Sequence, residues 1–328
     1  MKIAVIGDGG WGTANAMLLA GNGHDVTLWG AFPEYVEEMR RTRRNEKFLK
    51  GVVLPDSLKL TADRREAVEG AEIVVLAPPS KYFASVVEGF KGLITDDHLV
   101  VSLTKGLCER TNKRMTELAV EILGVKDVVA LAGPTHAEEV SRGIPTAIVA
   151  ACPDEAKAKR VQEVWSGPKF RVYTSSDPVG VEIGGAVKNV IAIAVGCSDG
   201  LGYGDNTRAA LITRGLAEMK RFVLAYGGKP ETLSGLAGIG DLIVTCTSVH
   251  SRNHSVGERL GRGEKIADIL GSMQMVAEGV WNSKVVHDLA AKLGVEMPIC
   301  DIVYAACYED FDARKAAEAI MCRSLKSE

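Results

Sequence analysis

The sequence lacks any Cys-x-x-Cys pair, and its seven cysteines are scattered along 328 residues. An odd, dispersed set of thiols argues against a disulfide framework and favours reduced cysteines in a cytoplasmic protein. No motif indicates a metal site. No apolar run reaches about 18 residues and no signal peptide is apparent, so we expect no membrane span. The net charge is −3 without a long basic run, which gives no indication of nucleic-acid binding.

What the sequence does contain is an ordinary globular composition, in a chain long enough for two domains. Its first half alternates short apolar runs with helical patterns such as 111–123 and 154–165. Nearly continuous apolar runs are typical of strands buried on both faces, so this half predicts a doubly wound parallel α/β sheet. The densest basic cluster, Arg40–Lys47, is typical of a solvated helix end. The predicted strands are 2–7, 25–30, 72–78, 98–104, 127–133, 145–151 and 169–174.

From Asp177 onward the pattern is helical, without convincing strand alternation. Asp177 is a good N-cap residue and Pro178 suits the first turn of the helix that follows. We therefore predict an α/β dinucleotide-binding domain over residues 1–176 and an all-helical domain over 177–328. Further helices are predicted from Asn206 or Thr207 to about Tyr226, and over 255–260, 276–293 and 312–324.

The segment Gly7-Asp8-Gly9-Gly10-Trp11-Gly12 matches Gly-x-Gly-x-x-Gly between the first strand and the first helix. In that setting Gly7 permits a tight turn, Gly9 admits a pyrophosphate, and Gly12 allows close packing of helix and strand. The motif predicts a dinucleotide site; the alternative is a glycine-rich turn without a ligand.

The end of the second predicted strand lacks the residue that usually selects the coenzyme. An acid there binds the ribose of NAD, or a nearby arginine binds the phosphate of NADP, but this chain has Gly30, Ala31 and Phe32. Glu34 and Arg40 are the nearest charged residues, and neither is well placed. The choice between NAD and NADP therefore stays open. One alternative is that an arginine from the 40–44 cluster reaches the phosphate of NADP.

Polar residues follow two later strands, at the edge where open α/β sheets bind ligands. Lys105 follows the fourth predicted strand and is suited to a phosphate. Gly133, Thr135 and His136 follow the fifth. His136 is either a base or merely an exposed loop residue.

Lys188 lies in an apolar helix, in a row of small residues with Gly184, Ala192 and Gly196. A lysine is rarely buried without a partner. The row predicts either an open pocket around the amine or two closely packed helices, and a lysine reaching solvent at a helix edge is a third possibility.

A glycine-rich segment in the helical half leads to Asp241 and then to Ser251-Arg252-Asn253. Asp241 is either a functional acid or the cap of the next helix. The guanidinium of Arg252, with the neutral donors on either side, suits a phosphate.

These segments closely resemble the soluble bacterial NAD(P)-dependent glycerol-3-phosphate dehydrogenases over nearly the whole chain. The resemblance implies a Rossmann domain followed by an all-helical domain of the 6-phosphogluconate dehydrogenase type, which binds substrate and carries catalysis. It implies reversible reduction of dihydroxyacetone phosphate to sn-glycerol 3-phosphate for phospholipid synthesis, and a homodimer. The matching segments are GDGGWGTA, TKGL, AGPTHAEEV, GGAVKNVIAIAVG, NTRAALITRGLAEM, GLAGIGDLIVTCTS, SRN and GVEMPI.

The resemblance also assigns roles to residues. Lys188 is implied as the proton acceptor, and Lys105 as a lysine that serves both substrate and cofactor. Asp241 would orient the Lys188 amine. The implied substrate contacts are Lys105, Gly133, Thr135, Lys188, Asp241, Ser251, Arg252 and Asn253. The implied cofactor contacts are Gly10, Trp11, Lys105, Ala137, Arg252, Val276 and Glu278.

The chain departs from the family at three places. Gly-Ala-Phe replaces a more polar segment near the adenosine ribose, His254 stands where many members have arginine, and Trp281 replaces a common arginine or proline. These departures concern coenzyme preference more than the reaction. Two rival interpretations are another dehydrogenase of this architecture and a non-catalytic nucleotide sensor. The Arg252 segment argues against the first, and the presence of Lys188 and Asp241 against the second.

Overall fold

The computed structural model describes residues 1–273 and 275–316. The chain forms two compact units, Met1–Glu182 and Ile183–Glu328. The domain boundary expected between residues 176 and 177 stays a prediction.

The first unit is built on an eight-stranded sheet with the strand order β10-β9-β8-β7-β6-β1-β2-β5. All seven predicted strands are present, and each end lies within two residues of the expected one. The apolar residues of β1 alternate between the two faces, with Ile3 and Val5 in one buried cluster and Ala4 and Ile6 in the other. The strands are β1 (Lys2–Ile6), β2 (Asp25–Trp29), β3 (Arg44–Asn45), β4 (Leu49–Val53), β5 (Lys59–Thr61), β6 (Ile73–Leu76), β7 (Leu99–Ser102), β8 (Val129–Ala132), β9 (Thr146–Ala151) and β10 (Phe170–Ser175).

Helices connect these strands, and the doubly wound architecture is confirmed. The sheet is parallel, as predicted, except at one pair, because β8 and β9 pair antiparallel. The segment between them contains a single helical turn, too little to carry the chain across a sheet face and back into a parallel strand. The helices of this unit are α1 (Gly10–Gly21), α2 (Pro33–Thr42), α3 (Arg64–Val68), α4 (Ser80–Glu88), α5 (Met115–Leu123), α6 (Ala137–Val140) and α7 (Glu155–Trp165).

The basic cluster after β2 is largely exposed, as its composition predicts, but two of its arginines also bind backbone. Helix α2 ends at Thr42, and Arg43 takes a left-handed conformation with a φ of 53° that turns the chain into β3. The Arg40 side chain donates to the carbonyl of Leu60 at 2.7 Å. Arg43 likewise donates to backbone carbonyls, so both arginines hold the segment that returns to the sheet edge.

No strand occurs after β10 in the described residues, and the expected all-helical half is confirmed. Asp177 caps the first helix by accepting from the Gly180 N–H at 3.0 Å, as predicted. The next helix begins at Asp205, earlier than predicted, with Gly204 as its N-cap. The helices are α8 (Pro178–Gly200), α9 (Asp205–Ala225), α10 (Asp241–Thr247), α11 (Arg252–Gly261), α12 (Ile266–Ser272), α13 (Glu278–Leu293) and α14 (Pro298–Tyr308).

The predicted helix 312–324 lies mostly outside the described residues; Ala313–Lys315 form a single 3₁₀ turn. Helix α8 is the one described helix whose length and composition would allow it to cross a membrane. In its most apolar window 89% of the residues are buried inside the protein. That burial is typical of a core helix, whose apolar surface is covered by the protein's own side chains.

Candidate functional site

The turn between β1 and α1 is shaped by glycines. Gly7 has a φ of 117°, and a Cβ there would lie 2.9 Å from the carbonyl carbon of Ala77. A Cβ at Gly12 would lie 2.0 Å from the Gly7 carbonyl oxygen. A Cβ at Gly9, by contrast, would meet nothing within 4 Å. Two glycines therefore close the turn, while the third leaves the N-terminus of α1 accessible, as a dinucleotide phosphate requires.

Other sequence-predicted cofactor residues lie beside this turn. A Cβ at Gly10 would lie 2.6 Å from the Phe48 carbonyl oxygen and 3.7 Å from the Cβ of Ala137, the first residue of α6. The indole N–H of Trp11 is buried without a hydrogen-bond partner. Since buried donors are normally paired, this N–H and the glycine turn fit a bound dinucleotide. The described residues contain no cluster of three or more side chains suited to a metal.

An acid that the sequence analysis did not single out lies at the end of β2. The Asp8 side chain extends from the glycine turn, and a Cβ at Gly30 would lie 2.6 Å from its Oδ2. The sequence does show this acid, between the first two glycines of the Gly-x-Gly-x-x-Gly motif. Its significance depends on the parallel pairing of β1 and β2, which brings Gly30 beside the turn.

The polar residues after β7 and β8 lie together in the structure. The Nζ of Lys105 donates to the carbonyl oxygen of Gly133 at 2.8 Å, and the hydroxyl of Thr135 donates to the same oxygen at 3.1 Å. His136 is the N-cap residue of α6 and is half-buried, so it is not the fully exposed loop residue that one alternative assumed.

Lys188 has the partner that its burial demands. Its Nζ donates to Asp241 Oδ1 at 2.5 Å and to the Thr245 hydroxyl at 2.7 Å, and that hydroxyl donates to the Asp241 backbone carbonyl at 2.6 Å. Lys188 is 4% exposed and Asp241 is 1% exposed. The interpretation of Lys188 as a lysine reaching solvent is therefore wrong. Asp241 begins α10 but does not cap it, because Gly240 holds the cap position.

Two of the small residues in the row of Lys188 pack closely against neighbouring segments. A Cβ at Gly184 would lie 2.8 Å from Leu233, and one at Gly196 would lie 2.0 Å from the His254 carbonyl oxygen. The row of small residues had two explanations, an open pocket around the amine or close helix packing. At these two positions close packing is confirmed, and the prediction of an open pocket is wrong.

The Ser251-Arg252-Asn253 segment forms the start of α11. Ser251 caps the helix, accepting from the His254 N–H at 3.2 Å. The exposed Arg252 donates to the carbonyl of Val276 at 2.7 Å. Asn253 is buried, and its side-chain oxygen accepts from the Gly279 N–H at 2.8 Å. The structure thus brings Arg252 and Asn253 to the chain around Glu278, whose own cofactor role stays a prediction.

The two sequence profiles of one family match the two halves of the chain. The profile described as NAD-dependent glycerol-3-phosphate dehydrogenase N-terminus matches residues 2–158, and the corresponding C-terminus profile matches residues 177–318. Glycerol-3-phosphate dehydrogenase [NAD(P)+] of Chlorobium limicola is 50% identical, covering 100% of this chain and 99% of the relative. The corresponding protein of Geobacillus kaustophilus is 48% identical, covering 100% of this chain and 96% of the relative.

Solved structures give the same result. The crystal structure of glycerol-3-phosphate dehydrogenase from Coxiella burnetii superposes with a TM-score of 0.94 at 40% identity, covering 98% of this chain and 99% of that chain. The Saccharomyces cerevisiae glycerol-3-phosphate dehydrogenase structure follows at 27% identity and a TM-score of 0.83, covering 98% and 99%. Over its full length, the chain therefore belongs to the NAD-dependent glycerol-3-phosphate dehydrogenase family.

Proposed function

We propose that this protein catalyses the reversible, NAD(P)-dependent interconversion of dihydroxyacetone phosphate and sn-glycerol 3-phosphate, and so supplies glycerophospholipid synthesis. The observation that carries the proposal is the buried ion pair of Lys188 with Asp241 in a family member that retains the dinucleotide turn. A spectrophotometric assay of coenzyme oxidation with dihydroxyacetone phosphate tests it. No turnover with either coenzyme would contradict it.

We propose that Lys188 is the proton donor and acceptor. When bound, the nicotinamide supplies a hydride to C2 of the substrate. As that carbonyl is reduced, its oxygen gains a proton, which Lys188 Nζ donates; in the oxidation direction the same amine accepts the proton from the C2 hydroxyl. Asp241 and Thr245 fix the position of the amine through their 2.5 and 2.7 Å hydrogen bonds, so the proton is held at a defined point.

Lys105 is proposed to position the substrate. Its ammonium is held by the Gly133 carbonyl, which fixes the position of a positive charge suited to a ligand oxygen. Thr135, which donates to the same carbonyl, is proposed to contact the substrate beside it.

Arg252 is proposed to bind the substrate phosphate. One of its nitrogens donates to the Val276 carbonyl, which holds the guanidinium in place, and a guanidinium is well suited to binding a phosphate. Asn253 is proposed as a neighbouring contact. Its bonds to Asn189 and Gly279 hold α11 to the start of α13.

Replacement of Arg252 by alanine is expected to lower kcat/KM for dihydroxyacetone phosphate by about 10- to 150-fold, the equivalent of losing a charge-assisted hydrogen bond of about 1.5–3 kcal/mol. Steady-state kinetics with dihydroxyacetone phosphate and with unphosphorylated dihydroxyacetone provide the measurement. The loss should be far smaller for the second substrate. Equal losses with both would show that Arg252 serves the cofactor or the fold instead.

Both coenzymes are expected to support turnover, with kcat/KM values for NADH and NADPH within roughly 30-fold, or about 2 kcal/mol of discrimination. The reason is the absence of an acid or arginine in the Gly30-Ala31-Phe32 segment itself. Parallel kinetics at one pH and ionic strength measure the ratio. A ratio above about a thousand in either direction would contradict this expectation.

A cytoplasmic location and a homodimer are part of the same proposal. The cysteine pattern supports the first, since the six described cysteines are all free thiols. The family resemblance supports the second. Size-exclusion chromatography with light scattering measures the oligomeric state, and a monomer would contradict it.

A further inference from the structure

The carboxyl group of Asp8 occupies the space that Gly30 leaves open at the end of β2. Asp8 is 8% exposed, and its Oδ2 is buried without a hydrogen-bond partner. Burial raises the pKa of this carboxyl to about 6, against the opposing effects of a backbone hydrogen bond and the charge of Lys47. The group is therefore mainly ionised above neutral pH. An ionised carboxylate is a hydrogen-bond acceptor only, so its unpaired oxygen is suited to a ligand hydroxyl.

A positive charge lies close to this acid. The ammonium of Lys47 is 5.8 Å from the ring centroid of Phe32 and 5.1 Å from that of Phe48. Lys47 is exposed, and the described residues show no ion pair for it. Its charge is near enough to lower the pKa of Asp8. An acid and a cation thus lie beside the strand end where the adenosine ribose of a coenzyme is recognised.

A chain of hydrogen bonds joins the backbone of Asp8 to the backbone of Lys47. Asn45 donates to the Asp8 carbonyl oxygen at 2.7 Å, and the Tyr35 hydroxyl donates to the Asn45 side-chain oxygen at 2.8 Å. The same hydroxyl accepts from the backbone N–H of Lys47 at 3.0 Å. The backbones of both residues are therefore held together through Asn45 of β3 and Tyr35 of α2.

Three of the four arginines of this segment are engaged elsewhere. Arg40 and Arg43 donate to backbone carbonyls of the returning chain. Arg44 pairs with Glu46 at 3.3 Å. The alternative in which one of these arginines turns toward a coenzyme phosphate would break contacts that hold the segment together, whereas Lys47 would lose no ion pair seen in the described residues.

We propose that Asp8 and Lys47 together determine coenzyme choice. The Asp8 carboxylate accepts hydrogen bonds from the adenosine ribose hydroxyls of NAD and repels the 2′-phosphate of NADP, whereas the Lys47 ammonium attracts that phosphate as a point charge. The two effects oppose each other, which accounts for dual use without an acid or arginine at the end of β2. The inference rests on the proposed function, since it concerns the same coenzyme site.

Calorimetric titration of the purified protein with NADH and with NADPH, in the absence of substrate, tests the inference by binding alone. In Asp8→Asn the ratio of the NADPH to the NADH dissociation constant should fall about tenfold, and in Lys47→Gln it should rise about tenfold, as expected for loss of one charge-assisted contact. Arg44→Gln is the matched control for removing a neighbouring positive charge. Its ratio should stay within about twofold of the wild-type value, because an exposed charge outside the site acts weakly.

Gly30→Ala is a second probe that leaves Asp8 in the sequence. Its methyl group would lie 2.6 Å from the Asp8 carboxylate and should displace it, so this variant should shift the ratio in the same direction as Asp8→Asn. Should Asp8→Asn fail to fold, Gly30→Ala and Lys47→Gln decide the matter. Binding of both coenzymes with ratios that stay unmoved, or that move in the same direction for Asp8 and Lys47, would overturn the inference alone. Binding of neither coenzyme by the wild-type protein would overturn the proposed function and the inference together.

Discussion

Replacement of Lys188 by alanine is expected to reduce kcat by about 10²-fold or more, the usual contribution of a positioned acid–base group. The reason is that Nζ of this lysine is buried and hydrogen-bonded to Asp241 and Thr245. A water molecule in its place would be a poor proton donor and acceptor. Coenzyme binding should be largely kept, because the dinucleotide turn is formed by residues of β1 and α1. Steady-state kinetics together with calorimetric titration of NADH measure the two effects separately.

The same substitution also leaves Asp241 buried without its cation, so a loss of activity must be separated from a loss of folding. The double variant Lys188→Met/Asp241→Asn provides the control, because it removes both charges and leaves no buried ion unpaired. It should fold and bind coenzyme while remaining as inactive as Lys188→Ala. Near-normal turnover in either folded variant would contradict the role assigned to Lys188.

The strand pattern could be predicted from the sequence because it depends on local composition. Runs such as Ile73–Leu76 are continuously apolar, and they are buried on both faces of the sheet. The short strands β3, β4 and β5 were not predicted, since none of them is a continuous apolar run and their conformation depends on their neighbours. The antiparallel pairing of β8 and β9 was equally invisible, because strand direction depends on the path of the connection rather than on the residues of the strands.

The site could be predicted only in part. The burial of Lys188 demanded a partner, but Asp241 lies 53 residues away, and the spacing alone left it as either a cap or a functional acid. Asp8 was missed because the acid that recognises a ribose was sought on β2. Its relevance depends on the absence of a side chain at Gly30, which is a property of the packed turn.

Glu182→Gln is expected to lower the free energy of unfolding by about 3 kcal/mol, the lower end of the cost of breaking a buried ion pair. Glu182 is 5% exposed and binds the guanidinium of Arg114 at 2.5 Å. It also accepts from the backbone N–H and the hydroxyl of Thr116 at 2.9 and 2.6 Å. A glutamine keeps one acceptor for Thr116 but leaves Arg114 with Glu117 as its remaining carboxylate partner among the described residues, at 2.9 Å. Urea titration followed by circular dichroism measures the loss.

The matched control is Glu121→Gln, which removes the exposed ion pair with Lys113. Its cost should be much smaller than that of Glu182→Gln, because solvent screens exposed pairs. A double variant, Arg114→Met with Glu182→Leu, separates the cost of an unpaired charge from the value of the pair itself. Apolar side chains of similar size leave no buried ion uncompensated, so the double variant should be more stable than Glu182→Gln, although the Thr116 contacts are lost. The double variant could instead lose as much free energy of unfolding as its two single substitutions lose when added together. In that case the ion pair would be contributing net stability through its hydrogen bonds. If Glu182→Gln cost no more than Glu121→Gln, the buried pair would not fasten the start of α8 to α5.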